Sequence, residues 1–445
     1  MRASMNDTIA AISTPFGEGA IALLRLSGPR AAGIAGAIFR GKKPVTELVP
    51  RVQHYGAVYD AKKRKLDDVL LTVFRGPHSY TGEDVVEISC HGGVLVSRRI
   101  LGALLKSGAR SAEPGEFTQR AYLHHKMDLT QAEAVMDLIS AQTDLAMRAA
   151  TEQLEGRLGE CIRALRETII ELLANVEAYI DFPDEDIDPD SGVDLLAKMD
   201  AARADLEALL ATADRGKVLR EGVRTVIYGA PNVGKSSLLN LLLGHERAIV
   251  SPRPGTTRDV IEETINLGGL PIRLIDTAGV RVSDDELEQE GMKRTWQELA
   301  RADLALHVFD ASEPPSEEAN GTVLTVLNKT DLGEHPGWRK IDAVRISCLK
   351  NKGIDALTKA IVARIAGGST THRDWSLAIN ARHADCLGRA RGFIEAARGA
   401  LTGEMSPEFV AEELRGALDA VGDVVGKADS EEILGKIFST FCIGK

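Results

Sequence analysis

Apolar positions along this chain change their spacing three times, and each change predicts a different kind of structure. From Thr8 to about Phe117 they come in short runs: Ile21-Ala-Leu-Leu-Arg-Leu26, Val69-Leu-Leu-Thr-Val-Phe74 and Asp84-Val-Val-Glu-Ile-Ser89. Gly, Pro and polar clusters bound these runs, which marks them as strands. Helices over Ala31–Phe39 and Val94–Leu105 lie between them, so a small α+β domain is expected. From Thr118 to about Leu219 the texture is helical. Leu154, Leu158, Ile162, Leu165, Ile169, Leu172, Val176 and Ile180 follow one another by three or four residues, the spacing of one helix face. That run stops at Asp181-Phe-Pro-Asp-Glu-Asp-Ile-Asp-Pro-Asp190, where Pro183, Pro189 and clustered carboxylates predict an exposed loop. A second helix runs through Leu195, Met199, Leu206 and Leu210. From Val223 to about Ala366 strands and helices alternate, which implies a parallel sheet covered by helices. After Trp375 the chain is helical again. The expected fold class is therefore multidomain, α+β and α/β, with the α/β domain inserted into a helical domain. The boundaries read as residues 1–118, 119–216, 217–370 and 371–445, and helices before and after the insertion pack together.

Composition narrows this picture only a little. A chain of 445 residues has room for about three domains of roughly 150 residues. A net charge of −11 argues against a general nucleic-acid-coating protein but leaves room for a local basic patch. Five cysteines, Cys90, Cys161, Cys348, Cys386 and Cys442, form no CxxC pair, as expected for reduced thiols. The start of the chain lacks a signal-peptide core, and no run approaches ~20 apolar residues. The expectation is a cytoplasmic protein with no membrane partner.

The chemistry is concentrated in the α/β segment. Gly229-Ala-Pro-Asn-Val-Gly-Lys-Ser236 matches G-x-x-x-x-G-K-[ST] in full, between the strand Val223–Tyr228 and a helix from Ser237 to Leu243. Glycines let backbone N–H groups wrap phosphate oxygens, and the helix N-terminus adds its positive dipole end. Asn232, Val233, Gly234, Lys235, Ser236 and Ser237 form this phosphate-binding set. Lys235 is expected to reach the β- and γ-phosphates, and Ser236 to bind Mg²⁺. Downstream, Asp276-Thr277-Ala278-Gly279 follows the strand Ile272–Ile275. Asp276 is placed to hold Mg²⁺ through water, and the Gly279 N–H to meet the γ-phosphate. Asn328-Lys329-Thr330-Asp331 ends the strand Val323–Leu327. The Asp331 carboxylate pairs with the N1–H and amino group of guanine, donors that adenine lacks, so the site selects GTP over ATP. Ser347-Cys348-Leu349 takes the place of the last base-contacting loop. Between the first two motifs lies Gly255-Thr256-Thr257-Arg258-Asp259, where Thr257 reaches Mg²⁺ in the presence of γ-phosphate.

Two positions depart from Ras-like enzymes. Val280 stands where a glutamine would orient the attacking water, so another group must do so or the domain hydrolyses poorly. The acidic stretch Ser283–Glu290 supplies candidates, and it also reads as a solvated helix start. The amide of Asn232 fits either a monovalent cation beside the phosphates or a loop cap.

Together these motifs resemble the Era/Der/MnmE group of GTPases, and the ending Cys442-Ile-Gly-Lys445 narrows the resemblance to the MnmE (TrmE) family of tRNA modification GTPases. The N-terminal segments Arg25-Leu-Ser-Gly28, Tyr80-Thr-Gly-Glu-Asp84, His91-Gly-Gly93, Pro114-Gly-Glu-Phe-Thr118 and Lys126–Glu133 agree, so the resemblance covers essentially the whole chain. It implies a homodimer formed through the N-terminal domain. It also implies pairing with the FAD-dependent MnmG (GidA) as a heterotetramer or larger, and addition of a (carboxymethyl)aminomethyl group to C5 of the wobble uridine, U34, of certain tRNAs. The one-carbon unit comes from 5-formyl-tetrahydrofolate or a related folate, and the family's folate residues match Arg25, Glu87, Lys126 and Lys445. It further implies K⁺ beside the phosphates, held by Asn232 and the segment Ser251-Pro252-Arg253-Pro254-Gly255-Thr256, with Ser251, Arg253 and Thr256 as ligands. The water-positioning glutamate of the family matches Glu288, and its modification cysteine matches Cys442. Arg253 and Ser251 depart from the more usual residues of that loop, and the Pro-rich stretch Ser312–Gly321 is short. Two competing readings are a ribosome-assembly switch of the Era/Der type and a regulatory GTPase whose N-terminal domain only dimerises. The N-terminal domain and the C-terminal Cys-Ile-Gly-Lys argue against the first, and binding of a reduced folate separates the second.

Overall fold

A computed structural model describes residues 7–181, 191–245, 262–275, 297–315, 323–365, 375, 377–403, 405–426 and 431–444. The chain forms two compact units, Met1–Met136 with Gly422–Lys445, and Asp137–Val421.

The first unit is built on a seven-stranded sheet. Its strands are β1 (Ile9–Ile12), β2 (Ile21–Ser27), β3 (Phe39–Gly41), β4 (His54–Tyr59), β5 (Lys65–Phe74), β6 (Val85–His91) and β7 (Arg110–Ser111), in the order β3-β4-β5-β6-β2-β1-β7. All pairings are antiparallel except β1 with β7. Alternation along β2 and β6 sends Leu24, Leu26, Val86 and Ile88 into a core shared with Ile34 and Ile38 of the helix Ala31–Ile38 and Ile100 and Leu104 of the helix Val94–Lys106. The same alternation turns Arg25 and Glu87 to the opposite face. The C-terminal stretch completes this unit. Leu434, Phe438 and Phe441 pack with Leu129 and Ala132. Beyond them, the chain runs beside residues 114–115, with Ile443 bridged to Pro114 and the Gly115 N–H donating to the Cys442 carbonyl.

The second unit holds a six-stranded sheet of β8 (Val223–Tyr228), β9 (Glu262–Leu267), β10 (Leu270–Ile275), β11 (Leu304–Asp310), β12 (Leu324–Asn328) and β13 (Val344–Arg345), in the order β13-β12-β11-β8-β10-β9. Five strands run parallel, as alternation with helices predicts. The edge strand β9 is antiparallel because the tight turn at Gly268-Gly269 returns it directly into β10. The unit's helices flank this domain in sequence and pack with each other. Ala381–Thr402 lies against Ser191–Leu210, with Arg398 donating to Asp200 at 2.9 Å, and Arg415 of Pro407–Val425 donates to Glu177 of Arg157–Asp181 at 2.7 Å. The α/β domain is thus an insertion in a helical domain. The pattern reading also ran one helix face through a break. Leu154 ends the helix Asp144–Leu154, and the next helix starts at Arg157, because Gly156 takes a left-handed φ of 94°. The carboxylate-rich stretch 182–190, read as a loop, and residues 316–321 of the Pro-rich stretch Ser312–Gly321 lie outside the described residues.

Candidate functional site

The candidate nucleotide-binding residues gather at the C-terminal ends of β8, β11 and β12, the rim where parallel α/β sheets bind ligands. At the end of β8 the chain must turn at once into the helix Lys235–His245. Gly229 approaches so closely that a Cβ would sit 2.2 Å from the Val308 carbonyl oxygen. Asn232 and Gly234 carry the positive φ values of the loop, 64° and 99°. A Cβ on Gly234 would lie 2.2 Å from Nδ2 of Asn328. Ser236 and Ser237 stand exposed on the first helical turn. Lys235 donates to the carbonyls of Gly229 and Ala230 at 3.0 and 2.7 Å, and burial pushes its ammonium below the usual lysine value.

Asn328 ties this loop to the base-binding side. Its Nδ2 donates to the Val233 carbonyl at 2.9 Å, while its Oδ1 accepts from the Cys348 N–H at 3.1 Å. It is buried, so both bonds are shielded from water. Thr330 donates through Oγ1 to the Ile346 carbonyl at 2.9 Å, and Ser347 donates through Oγ to Oδ1 of the exposed Asp331. Burial, with Asp331 adding its charge, pushes the Cys348 thiol up to about 11. Leu349 projects into solvent, 80% exposed. Lys329, whose φ is 61°, carries its ammonium to Asp310 at the end of β11, 2.7 Å away. Sequence motifs did not point to Asp310, which lies across the sheet from Asn328. The predicted residues Asn232 to Ser237, Asn328 to Asp331 and Ser347 to Leu349 therefore meet on one rim. The remaining candidates of this site, Ser251, Pro252, Arg253, Pro254, Gly255, Thr256, Thr257, Asp276, Thr277, Ala278, Gly279 and Glu288, lie outside the described residues, as does Val280.

A second cluster forms on the other face of the N-terminal sheet, where Phe117 and Ala112 pack against Ile9 and Ala11. Arg25 and Glu87 sit directly opposite each other on β2 and β6. Nε and Nη2 of Arg25 both donate to Oε1 of Glu87, at 3.0 and 2.8 Å. The guanidinium also lies over the rings of Tyr80 and Phe117, 5.3 and 5.8 Å from their centroids. Burial raises the pKa of the Tyr80 hydroxyl, which hydrogen-bonds Thr118 Oγ1 at 2.8 Å. This is a cation and an anion fixed side by side on an aromatic floor. Such a pair suits a flat ring with N–H donors and a carboxylate tail. Lys126 is exposed and donates to the Pro77 carbonyl at 3.0 Å instead of joining the pair. Cys442 is exposed, and the following Gly444 carbonyl accepts from Ser13 Oγ at 3.1 Å. Lys445 lies outside the described residues. No described helix is long and apolar enough to cross a membrane.

The first unit also holds a charged hub that sequence reading missed. Arg120 is buried and bonds Asp7, Glu83 and Glu116, and Arg110 grips Asp7 and Glu116 as well. No local spacing announces it, because its members come from four separate segments.

Comparison with known proteins gives one consistent result. The family profile described as GTP-binding protein TrmE N-terminus matches residues 8–126, and the one described as MnmE helical domain matches residues 129–442. A relative from Akkermansia muciniphila named tRNA modification GTPase MnmE is 50% identical, covering 98% of this chain and 99% of its own. Proteins of the same name from Natranaerobius thermophilus and Geobacter metallireducens are 45% and 46% identical, each covering 99% of this chain and at least 99% of their own length. With both profiles and full-length relatives in agreement, the chain belongs to the MnmE family of tRNA modification GTPases.

Proposed function

We propose that this protein hydrolyses GTP and, with an MnmG partner and tRNA, takes part in modifying C5 of the wobble uridine U34. The observation that carries the nucleotide half is Asn328, which fastens the phosphate loop and the base-binding loop to one side chain. The relatives' shared name supports the tRNA half. In the nucleotide complex Lys235 leaves the Gly229 and Ala230 carbonyls for the phosphates, which are stronger acceptors. Asp331, oriented by Ser347, reads guanine. Ser236 and Thr257 are the Mg²⁺ ligands, with Asp276 acting through water. Asn232, Ser251, Arg253 and Thr256 are the K⁺ ligands of this reading. Both cations, when bound, neutralise charge on the transferring phosphate. Glu288 positions the attacking water, a general-base task suited to a carboxylate.

The Arg25–Glu87 pair is the anchor of a reduced folate, with Lys126 and Lys445 as additional cations. When bound, the folate supplies the one-carbon unit. Cys442, exposed in the docked tail, acts in the tRNA step. In this reading residues 1–118 form the dimerising and folate domain, 119–216 and 371–445 the helical domain and 217–370 the GTPase domain, in a cytoplasmic homodimer. The deciding test is GTP turnover in K⁺ and in Na⁺ at equal ionic strength, for wild type and Glu288→Ala. The expectation is faster turnover in K⁺ that the variant loses. Equal rates in the two salts would remove the cation-assisted mechanism.

A further inference from the structure

Asp331 can read guanine only while its carboxylate is free to accept from the base. A competitor close in sequence is Lys329, two residues earlier, an ammonium on a flexible stem. The structure keeps that competitor occupied. Lys329 Nζ donates to Oδ2 of Asp310 at 2.7 Å, and Oδ1 of Asp310 is in turn pinned by the Ser312 N–H at 3.0 Å and the Ser312 hydroxyl at 2.7 Å. The backbone of the next residue is fixed as well, since the Ala311 N–H donates to the Asn328 carbonyl at 2.8 Å. Asp310 is 8% exposed, whereas Asp331 is exposed and takes its one described hydrogen bond from Ser347. Burial works to raise the pKa of Asp310, yet Lys329 and Ser312 outweigh it and hold the carboxyl below its usual range. The anion that holds Lys329 is thus permanent at neutral pH and inaccessible to a ligand, while the second anion is left open.

We infer that Asp310 is a positioning residue for guanine recognition: by sequestering the Lys329 ammonium it keeps Asp331 unpaired for the base. This rests on the reading of Asp331 as the guanine-binding carboxylate. An alternative reading makes Asp310 merely a brace for the β11 end, in which case its loss would harm every nucleotide alike.

The experiment separates these through base chemistry. Asp331→Asn exchanges the carboxylate for an amide that suits the C2 carbonyl of xanthine, and an amide attracts no lysine. Fluorescent GDP and XDP are titrated onto the full chain carrying Asp310→Asn, Asp331→Asn, or both. The expected result is GDP binding weakened about two- to fivefold by Asp310→Asn, the worth of an exposed lysine–carboxylate pair. XDP binding to Asp331→Asn should change less than twofold when Asp310→Asn is added. Ser312→Ala, which loosens Asp310 while leaving both charges, should give a smaller loss confined to GDP. Equal losses for GDP and XDP, or no loss for GDP, would overturn the inference about Asp310. Failure of Asp331→Asn to exchange GDP for XDP would instead overturn the reading of Asp331 itself.

Discussion

Replacing Gly234 by alanine tests whether the phosphate loop and the base loop are mechanically one object. The new methyl group would arrive 2.2 Å from Asn328 Nδ2, so Asn328 must leave its place. It would abandon the Val233 carbonyl and the Cys348 N–H, two neutral hydrogen bonds worth about 0.5–1.5 kcal/mol each. Alanine at the φ of 99° adds about 1–2 kcal/mol of backbone strain. The total is about 2–5 kcal/mol, which weakens GDP binding roughly 30- to 4000-fold if the nucleotide needs the native loop. Asn328→Ala alone removes the two bonds without the strain and costs about 1–3 kcal/mol. The two substitutions act on the same side chain, so their effects must not add. The double variant should bind GDP about as weakly as Gly234→Ala, not worse by the further cost of Asn328→Ala. Titration of a fluorescent GDP against the four proteins reads this directly. A double variant whose loss equals the sum of the single losses would refute the idea that Asn328 transmits the strain.

Three further outcomes follow from the charged and thiol groups. Arg120→Met takes from Glu83 its described cation and leaves Asp7 and Glu116 with Arg110 alone, and loss of one partner of such a buried cluster costs about 3–5 kcal/mol. Amide exchange in Ile9–Ile12 and Glu116–Leu123 should accelerate, and unchanged protection would contradict the hub's role. Burial opposes ionisation of Asp7 and Glu116, but the bonds from Arg110 and Arg120 win and lower both carboxyls from their ordinary 3.8 and 4.5. Their stabilisation is therefore complete above about pH 4.5 and lost as pH falls through the depressed values, and wild-type exchange protection should fall in that range only. Alkylation at pH 8 should modify the exposed Cys442 and spare Cys90 and Cys348, whose thiols are pushed up to about 11 and so are roughly one part in a thousand thiolate. Peptide mapping that finds all three equally modified would contradict this.

The nucleotide motifs were legible because each is a local device. A strand, a glycine turn and a helix start must be consecutive, so spacing alone announces Gly229–Ser236 and Asn328–Asp331. Periodicity likewise located Val223–Tyr228 and the long helix ending at Asp181, though it ran through the break at Glu155-Gly156 because apolar spacing persists across a two-residue turn. Pairing across sequence distance left no such trace. Nothing near Asp310 predicts Lys329 as its partner, and nothing near Arg120 predicts Asp7. The opposition of Arg25 and Glu87 depends on the register of β2 against β6, which the chain sets through the core contacts of neighbouring residues. Short strands such as β3 and β7 were invisible because two or three residues carry no period.

The docking of the C-terminal stretch onto the N-terminal unit has a consequence for the order of events at the ribosome. Residues up to Met136 are synthesised first, but Phe438, Phe441 and Ile443, which pack and pair with that unit, are made last. At about 5–20 residues per second the intervening chain takes roughly 15–60 s to make. Through that interval Leu129 and Ala132 lack their apolar cover and residues 114–115 lack their backbone partner. The nascent N-terminal unit must therefore persist as an incomplete fold, with apolar surface uncovered, until translation reaches the tail. Its maturation is timed by the length of the helical and nucleotide-binding segments placed in between.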